Sequence, residues 1–519
     1  MSKSKSRNSA VSTGESGASI SKEKPLKRLR ILFAASEVYP LIKTGGLADV
    51  ACYLPLALHE LGHDVRIVMP AYRSVLDKVS GARRGKNYPL EETGLSFRIL
   101  QTRLPGSTVP MYLVDIPELY DRRGGPYRDP SGNDWEDNAR RYAAFGRVIR
   151  LLGLGRVSPG WRPDIVHCND WHTGLAPALL AQELERPAIV FSIHNLAYQG
   201  DFSYQVFQSL NLPQQFWSPQ SLEFYGRVSF IKGGLVYADR LIAVSPSYAR
   251  EIMTPEFGYG LEGLLRHRQT DLLGILNGVD YRYWDPRHDP LIAQHYWIDN
   301  LDAKAVNKHH LQQELGLRQQ GQALLLAHIS RLTWQKGIDL ILEGINGLMQ
   351  NENVQMVVLG SGEANYEHEL QIAAQSFPGR LSINLTYDEA LAHRIQAGAD
   401  MLLMPSRYEP CGLTQMYSMR YGTIPIVRRS GGLADTIIDA TSENLSGRIA
   451  TGFCFNHAGT ADLLRTTQAA IASYRSDSQW RQLMQTAMQK DFTWKNSAEK
   501  YIDSYRELLT RASIPSPVK

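Results

Sequence analysis

Two cations five positions apart, Arg331 and Lys336 in HISRLTWQKG, sit between an apolar run and a helical pattern. Where a strand ends and the next helix opens, both can reach one diphosphate. They then supply positive charge where a leaving group gains negative charge. Surface charge on an exposed loop is the alternative reading. A second stretch, KTGGLADV, carries Lys43, Gly45 and Gly46 just before a helix expected to start near Asp49. Paired glycines let backbone N–H groups approach an anion at a helix N-terminus, and the lysine adds a point charge. A flexible loop with an incidental lysine is the alternative there. A third stretch, MPSRYEPCGLTQ, places Glu409, Pro410, Cys411 and Gly412 ahead of a helix expected to begin near Leu413. Its first N–H groups and the Thr414 hydroxyl suit a phosphate, and Glu409 suits sugar hydroxyls. Cys411 has no base partner evident in the sequence, which disfavours covalent thiol chemistry.

HCNDWHTG and SIHNLAYQG bring His167, Asp170, His172, His194 and Asn195 to the ends of apolar runs. A lone histidine is more often structural than catalytic, but this placement favours function. No HExxH or equivalent spacing supports a metal, and no Asp-x-Asp pair is present to bridge one to a nucleotide. Metal-free chemistry is expected. No G-x-G-x-x-G follows the first apolar run, and GSGEANYE lacks its third glycine, so dinucleotide oxidoreduction is disfavoured. The pentapeptide GGLAD recurs in SGGLADT, 430–436; both copies are expected to be close-approach turns after buried strands, directing glycine backbone toward the cleft, with function favoured at the first, which adds Lys43, and a helix start shaped by Gly431 and Gly432 at the second.

These segments need a scaffold that presents strand ends to a ligand. ILFAA, DVRIVMP, MYLVDI, DIVHCN, AIVFSIHN and RLIAVSP read as buried strands of one parallel sheet, with helical patterns between them. ALLLAHIS, VQMVVLG, LSINLT, DMLLMPS and TIPIVRR repeat the style. Two doubly wound α/β domains follow, with ligands beyond the carboxyl edges of both sheets. The expected organisation is a disordered tail over 1–28, a first domain over 29–272 and a second over 273–490. The helix at 491–519, with Tyr501, Tyr505 and Leu508 on one face, packs back on the first domain. At 519 residues, 43% hydrophobic and 21% charged, the composition is that of a globular protein. A net charge of +4 argues against nucleic acid, and no long apolar span points to a membrane. Four unpatterned cysteines predict free thiols and a cytoplasmic setting.

In order and spacing, KTGGLADV, DWHTGLAPA, HNLAYQG, LNGVD, SRLTWQKG, PSRYEPCGLTQMY and GGLADT resemble the bacterial-type glycogen synthases and, more distantly, plant starch synthases. The resemblance runs from Ile31 to about Leu509. It implies a GT-B fold, two Rossmann-like domains facing each other across a cleft. It also implies retaining transfer of glucose from ADP-glucose to the 4-hydroxyl of an α-1,4-glucan, without cofactor or metal. By resemblance, Lys43 and the Gly45-Gly46 loop face the donor, and Arg331 and Lys336 hold its diphosphate. Asp49, Asn277, His194 and Glu409 surround the glucosyl group, and Tyr387 stacks on the base. Cys411, Gly412, Leu413 and Thr414 line phosphate and sugar, while Asp170, His172 and Asn195 remain for sugar or acceptor contacts. Many GT-B relatives carry a second glutamate eight positions after the first; here that position is Tyr417, which leaves the ribose contact unassigned. A UDP-glucose-dependent transferase, another acceptor, or a non-catalytic glucan-binding scaffold are the competing readings.

Overall fold

The run Ile31–Ala34 is fully buried and forms strand β1 (Arg30–Ala34), the centre of the larger of two parallel assemblies. The structure is a computed structural model that describes Met1 and residues 28–157 and 160–512; the expected tail lies outside them apart from its two ends. Following β1 come β2 (Asp64–Pro70), β3 (Arg83–Leu90), β4 (Leu95–Arg103), β5 (Pro110–Asp115), β6 (Ile165–Asn169) and β7 (Ala188–Ile193). Then come β8 (Asp201–Ser203), β9 (Glu223–Phe224), β10 (Arg227–Ser229), β11 (Arg240–Ala243) and β12 (Leu272–Gly274). The remaining strands are β13 (Leu324–Ile329), β14 (Val354–Leu359), β15 (Leu381–Asn384), β16 (Met401–Met404), β17 (Ile424–Arg428) and β18 (Phe453–Phe455).

Among the described residues the strands form three sheets. The nine-stranded sheet has the order β12-β11-β7-β6-β1-β2-β5-β4-β3, parallel from β12 to β5. From β1 the chain passes to β2, jumps to the far edge at β3 and comes back through β4 and β5, then crosses to lay β6 on the other side of β1. That reversal opens a crevice beyond the carboxyl ends of β1 and β6. The six-stranded sheet, β15-β14-β13-β16-β17-β18, is parallel throughout and reverses between β13 and β16. Two switch points result, one per sheet.

Two features depart from the expected pattern. The antiparallel edge β4-β3 was not anticipated, because β3 reads RRGKNYPL, mostly exposed and without apolar alternation. The expected division at 273 falls inside β12, since Leu272–Gly274 adds a last strand to the first sheet. The chain crosses to the second sheet through Asn277-Gly278-Val279 and returns through Phe492-Thr493-Trp494. The two crossings lie side by side, Val279 N–H donating to the Phe492 carbonyl at 2.8 Å.

After the return crossing, helix Trp494–Ala512 packs on helix Gly46–Glu60, burying Tyr501, Tyr505 and Leu508. The Tyr505 hydroxyl lies 2.7 Å from His167 Nδ1, and His167 Nε2 lies 2.7 Å from Ser192 Oγ. His167 sits inside β6 rather than at its edge, and burial lowers its pKa to about 3, so it is a neutral structural residue. Its two partners bind the C-terminal helix to the first core. Tyr505→Phe, which leaves His167 with one unmet ring nitrogen, should cost about 1 to 3 kcal/mol in urea unfolding. A change below about 0.5 kcal/mol would show that the link is dispensable.

Candidate active site

At the second switch point, the loop after β13 carries Arg331 and Lys336, and the loop after β16 carries Glu409. Lys336 Nζ meets Glu409 Oε2 at 2.5 Å, and Ser406 Oγ donates to the same oxygen at 3.2 Å. The Glu409 backbone is held at both ends: its N–H donates to Ser430 Oγ at 3.1 Å and its carbonyl accepts from Gly432 N–H at 3.0 Å. Arg331 reaches across the cleft, Nη1 donating to the Tyr198 hydroxyl at 3.2 Å. Helix Thr414–Arg420 starts one residue after its expected start, behind Gly412 (φ 71) and Leu413. Cys411 is buried and its thiol is pushed up to about 12 by burial, which keeps it protonated and removes it as a nucleophile. Nearby, Asn277 is buried with no partner for its Oδ1 among the described residues.

The first switch point faces this one. Lys43 Nζ pairs with Asp49 Oδ1 at 2.9 Å, and Asp49 lies in the first turn of helix Gly46–Glu60, where the helix dipole favours a carboxylate. Burial opposes the charge on Lys43, but Asp49 outweighs it and raises the pKa; Tyr387 and Glu389 of the second domain add to the rise. Tyr387 itself is 71% exposed, its hydroxyl donating to Glu389 Oε2 at 3.4 Å. Beyond β6, Asp170 (φ 55) accepts the His194 N–H at 2.8 Å, and His194 Nε2 lies 2.9 Å from Asn169 Oδ1. Burial lowers the His194 pKa to about 3, so the ring is neutral. His172 stacks on Tyr127 at 4.5 Å with its Nδ1 buried and unpartnered among the described residues. Asn195 Oδ1 accepts the Ala197 N–H at 3.1 Å. Tyr417 is buried against Trp284, ring centroids 4.1 Å apart, so it packs rather than contacts a ligand.

The structure adds residues to those read from the sequence. Glu37, just past β1, accepts from the Thr44 N–H at 2.5 Å and Thr44 Oγ1 at 3.0 Å, tying down the Lys43 loop. Its strand-end position is the same signal that pointed to Asp170. A seam joins the domains behind Glu409. Glu251 of helix Pro246–Glu251 accepts the Gly431 N–H at 2.7 Å, and Asp435 accepts from Ser247 N–H and Oγ at 2.8 and 2.7 Å. Each short helix is capped by the other's carboxylate, and Ser245 Oγ donates to the Pro410 carbonyl at 2.6 Å. No pattern local to Glu251 or Asp435 signals this pairing.

The twin GGLAD segments differ, and the second copy opens helix Gly431–Thr436. A Cβ on Gly431 (φ 44) would lie 2.0 Å from the Glu409 carbonyl oxygen, and one on Gly432 2.0 Å from that of Cys411. A Cβ on Gly45 or Gly46 meets nothing within 4 Å. The second copy supports Glu409 by backbone contact; the first faces open cleft.

With these two facing switch points the protein is of the GT-B glycosyltransferase class. Residues 30–267 match the family model described as the starch synthase catalytic domain, and 316–482 match glycosyl transferases group 1. Glycogen synthase 1 of Methylococcus capsulatus is 51% identical over 93% of this chain and 97% of its own. The glycogen synthase of Thioalkalivibrio sulfidiphilus is 50% identical over 93% and 100%. The catalytic domain of starch synthase IV from Arabidopsis thaliana, solved bound to ADP and acarbose, superposes with a TM-score of 0.85 at 32% identity. That match covers 93% of this chain and all of the other. The chain belongs to the glycogen synthase family. Among the described residues no cluster of three or more His, Cys, Asp or Glu could hold a metal, and no helix is long and apolar enough to cross a membrane. The four cysteines are free.

Gly431→Ala should cost about 2 kcal/mol or more, since the left-handed φ and the carbonyl collision act together. Gly45→Ala should leave unfolding within about 0.5 kcal/mol while lowering donor affinity. Equal destabilisation by the two would contradict the distinction. Burial raises both Glu37, from 4.5 to about 7, and Asp170, from 3.8 to about 7. Between the unfolded and folded values the native state holds the extra proton, so stability falls as pH rises, by about 1.4 kcal/mol per unit for each group. Glu37→Gln should flatten urea-unfolding free energy between about pH 4.5 and about pH 7; a slope equal to the parent's refutes this.

Proposed function

We propose that the chain elongates an α-1,4-glucan, glycogen, by retaining transfer of glucose from ADP-glucose to the non-reducing-end 4-hydroxyl. The observation that carries this reading is the cation pair Arg331 and Lys336, with Glu409, facing Lys43 and Asp49 across one cleft. Arg331 and Lys336 hold the diphosphate, helped by Lys43, the N–H groups of Gly45 and Gly46, and the helix start at Gly412, Leu413 and Thr414. Tyr387 offers its exposed face to the base. Asp49, Asn277, His194 and Glu409 surround the glucosyl group, and the unmet Asn277 Oδ1 supports a sugar hydroxyl there. Asp170, His172 and Asn195, on the first domain, belong to the acceptor side. The ADP bound to the plant relative supports an adenine donor. Free thiols agree with action in the cytoplasm.

The bond from the anomeric carbon to the diphosphate oxygen breaks as the acceptor hydroxyl attacks from the same face. The hydroxyl proton passes to the departing diphosphate, whose charge Arg331 and Lys336 offset without a metal. Backbone carbonyl density at His194 stabilises the oxocarbenium-like centre. Double displacement would require Glu409 as nucleophile. Its contact with Lys336 at 2.5 Å weakens that carboxylate for attack and favours the single front-face step.

Labelled ADP-glucose should add α-1,4-linked glucose to glycogen in the presence of EDTA. No transfer from any donor would refute the reading, and a preference for UDP-glucose would favour the alternative donor. Arg331→Ala or Lys336→Ala should lower kcat by roughly 10²- to 10³-fold. Glu409→Gln should impair turnover without a trapped intermediate; a glucosyl adduct on Glu409 in the parent, seen by mass spectrometry, would establish double displacement instead.

A further inference from the structure

Beside the cleft, two tight turns each carry a tyrosine in the left-handed region. Tyr225 (φ 49) precedes Gly226 (φ 74) in the hairpin joining β9 to β10, and Tyr259 (φ 50) precedes Gly260 (φ 84). A bulky aromatic is disfavoured there, where glycine or asparagine would sit without strain, and retained strain at an exposed position points to use. The turns touch. A Cβ on Gly260 would lie 3.0 Å from Phe224 Cζ and 3.3 Å from Tyr225 Cε2. Tyr225 is 82% exposed and packs edge-on to Phe224 at 4.7 Å.

The aromatic surface continues inward. Tyr259 meets Tyr408 at 6.1 Å, and Tyr408 directly precedes Glu409. Gln199 Nε2 donates to the Tyr259 carbonyl at 3.1 Å, and its neighbour Tyr198, half exposed, accepts from Arg331. From Tyr225 the strip runs through the Tyr259–Gly260 turn and the partly buried Tyr408 to Tyr198 and Arg331, with the rings of Tyr225, Tyr259 and Tyr198 exposed. Tyrosine joins an apolar ring face to a hydroxyl rim. A glucosyl unit has the same division, C–H groups on its faces and hydroxyls around its edge.

We propose that this strip is a glucan-binding shelf outside the reacting subsites, on which Tyr225 and Tyr259 carry units of the acceptor chain remote from the end being extended. The proposal rests on the acceptor being an α-1,4-glucan. The continuity of the strip with the cleft favours the polymer over a second copy of the chain as its occupant.

The test compares the parent with Tyr225→Gly, which removes the ring and relieves the left-handed backbone, and with Tyr225→Phe, which keeps the ring. Migration in native gels containing glycogen reads binding without turnover, and kinetics with glycogen and with maltotriose separate long from short acceptors. Tyr225→Gly should bind glycogen about 3- to 10-fold more weakly and raise its KM alike, with maltotriose and ADP-glucose kinetics unchanged. Its melting temperature should be no lower than the parent's, and Tyr225→Phe should retain most of the binding. Glycogen binding by Tyr225→Gly equal to the parent's would overturn the shelf. So would an equal loss with maltotriose, or a changed sedimentation coefficient with glycogen binding intact. Transfer that ignores Tyr225 refutes only the shelf, whereas a parent that glucosylates no acceptor refutes the function on which it rests.

Discussion

Gly431 and Gly432 lie against the carbonyls of Glu409 and Cys411 so closely that no side chain fits between them. Backbone packed on backbone is stiffer than any side-chain contact, because neither partner has rotamers to relax into. Glu409 inherits that stiffness through Ser430 and Gly432, and Lys336 inherits it through Glu409. On its far side Gly431 is held by Glu251 of the other domain. One glycine pair thus sets the position of the carboxylate, of its cation and of the interdomain seam. The cleft is built outward from it.

The charges in that cleft follow a division of labour set by burial. Lys43, Arg331 and Lys336 line the cleft, each next to a carboxylate or hydroxyl, and those partners raise the pKa of Lys43 and Arg331. The histidines at the first switch point are kept neutral by desolvation, so they act as hydrogen-bonding groups rather than as charges. Asp170 and Glu37, raised toward neutrality, serve the same end by binding backbone N–H groups. The cleft therefore presents Arg331 and Lys336 on one wall and the Lys43–Asp49 pair beside neutral imidazoles on the other.

Much of this was legible in the chain. Buried parallel strands announce themselves as apolar runs, and the loop after each run is where the candidate site residues lie; Asp170 and Arg331 follow their strands closely, while Glu409 and Lys43 come further along their loops. The rule applied equally to Glu37. What escaped was what depends on distance in three dimensions. The β3–β4 edge has no alternation because solvent covers most of β3. Glu251 and Asp435 are ordinary surface-type residues until two helices from different domains meet. The GGLAD repeat shows the same limit, since identical pentapeptides after similar strands face, in one case, open space and, in the other, a carbonyl 2.0 Å from where a Cβ would stand.

The C-terminal helix gives the molecule an order of assembly. Tyr501 and Tyr505 complete the core begun by β1 and β6, yet the whole second sheet is encoded between them. During synthesis the second sheet can close on itself as soon as β18 is made, while the first waits with a helix-sized apolar gap beside helix Gly46–Glu60. The domain that is translated first is therefore the one that finishes folding last, and only a full-length chain seals it.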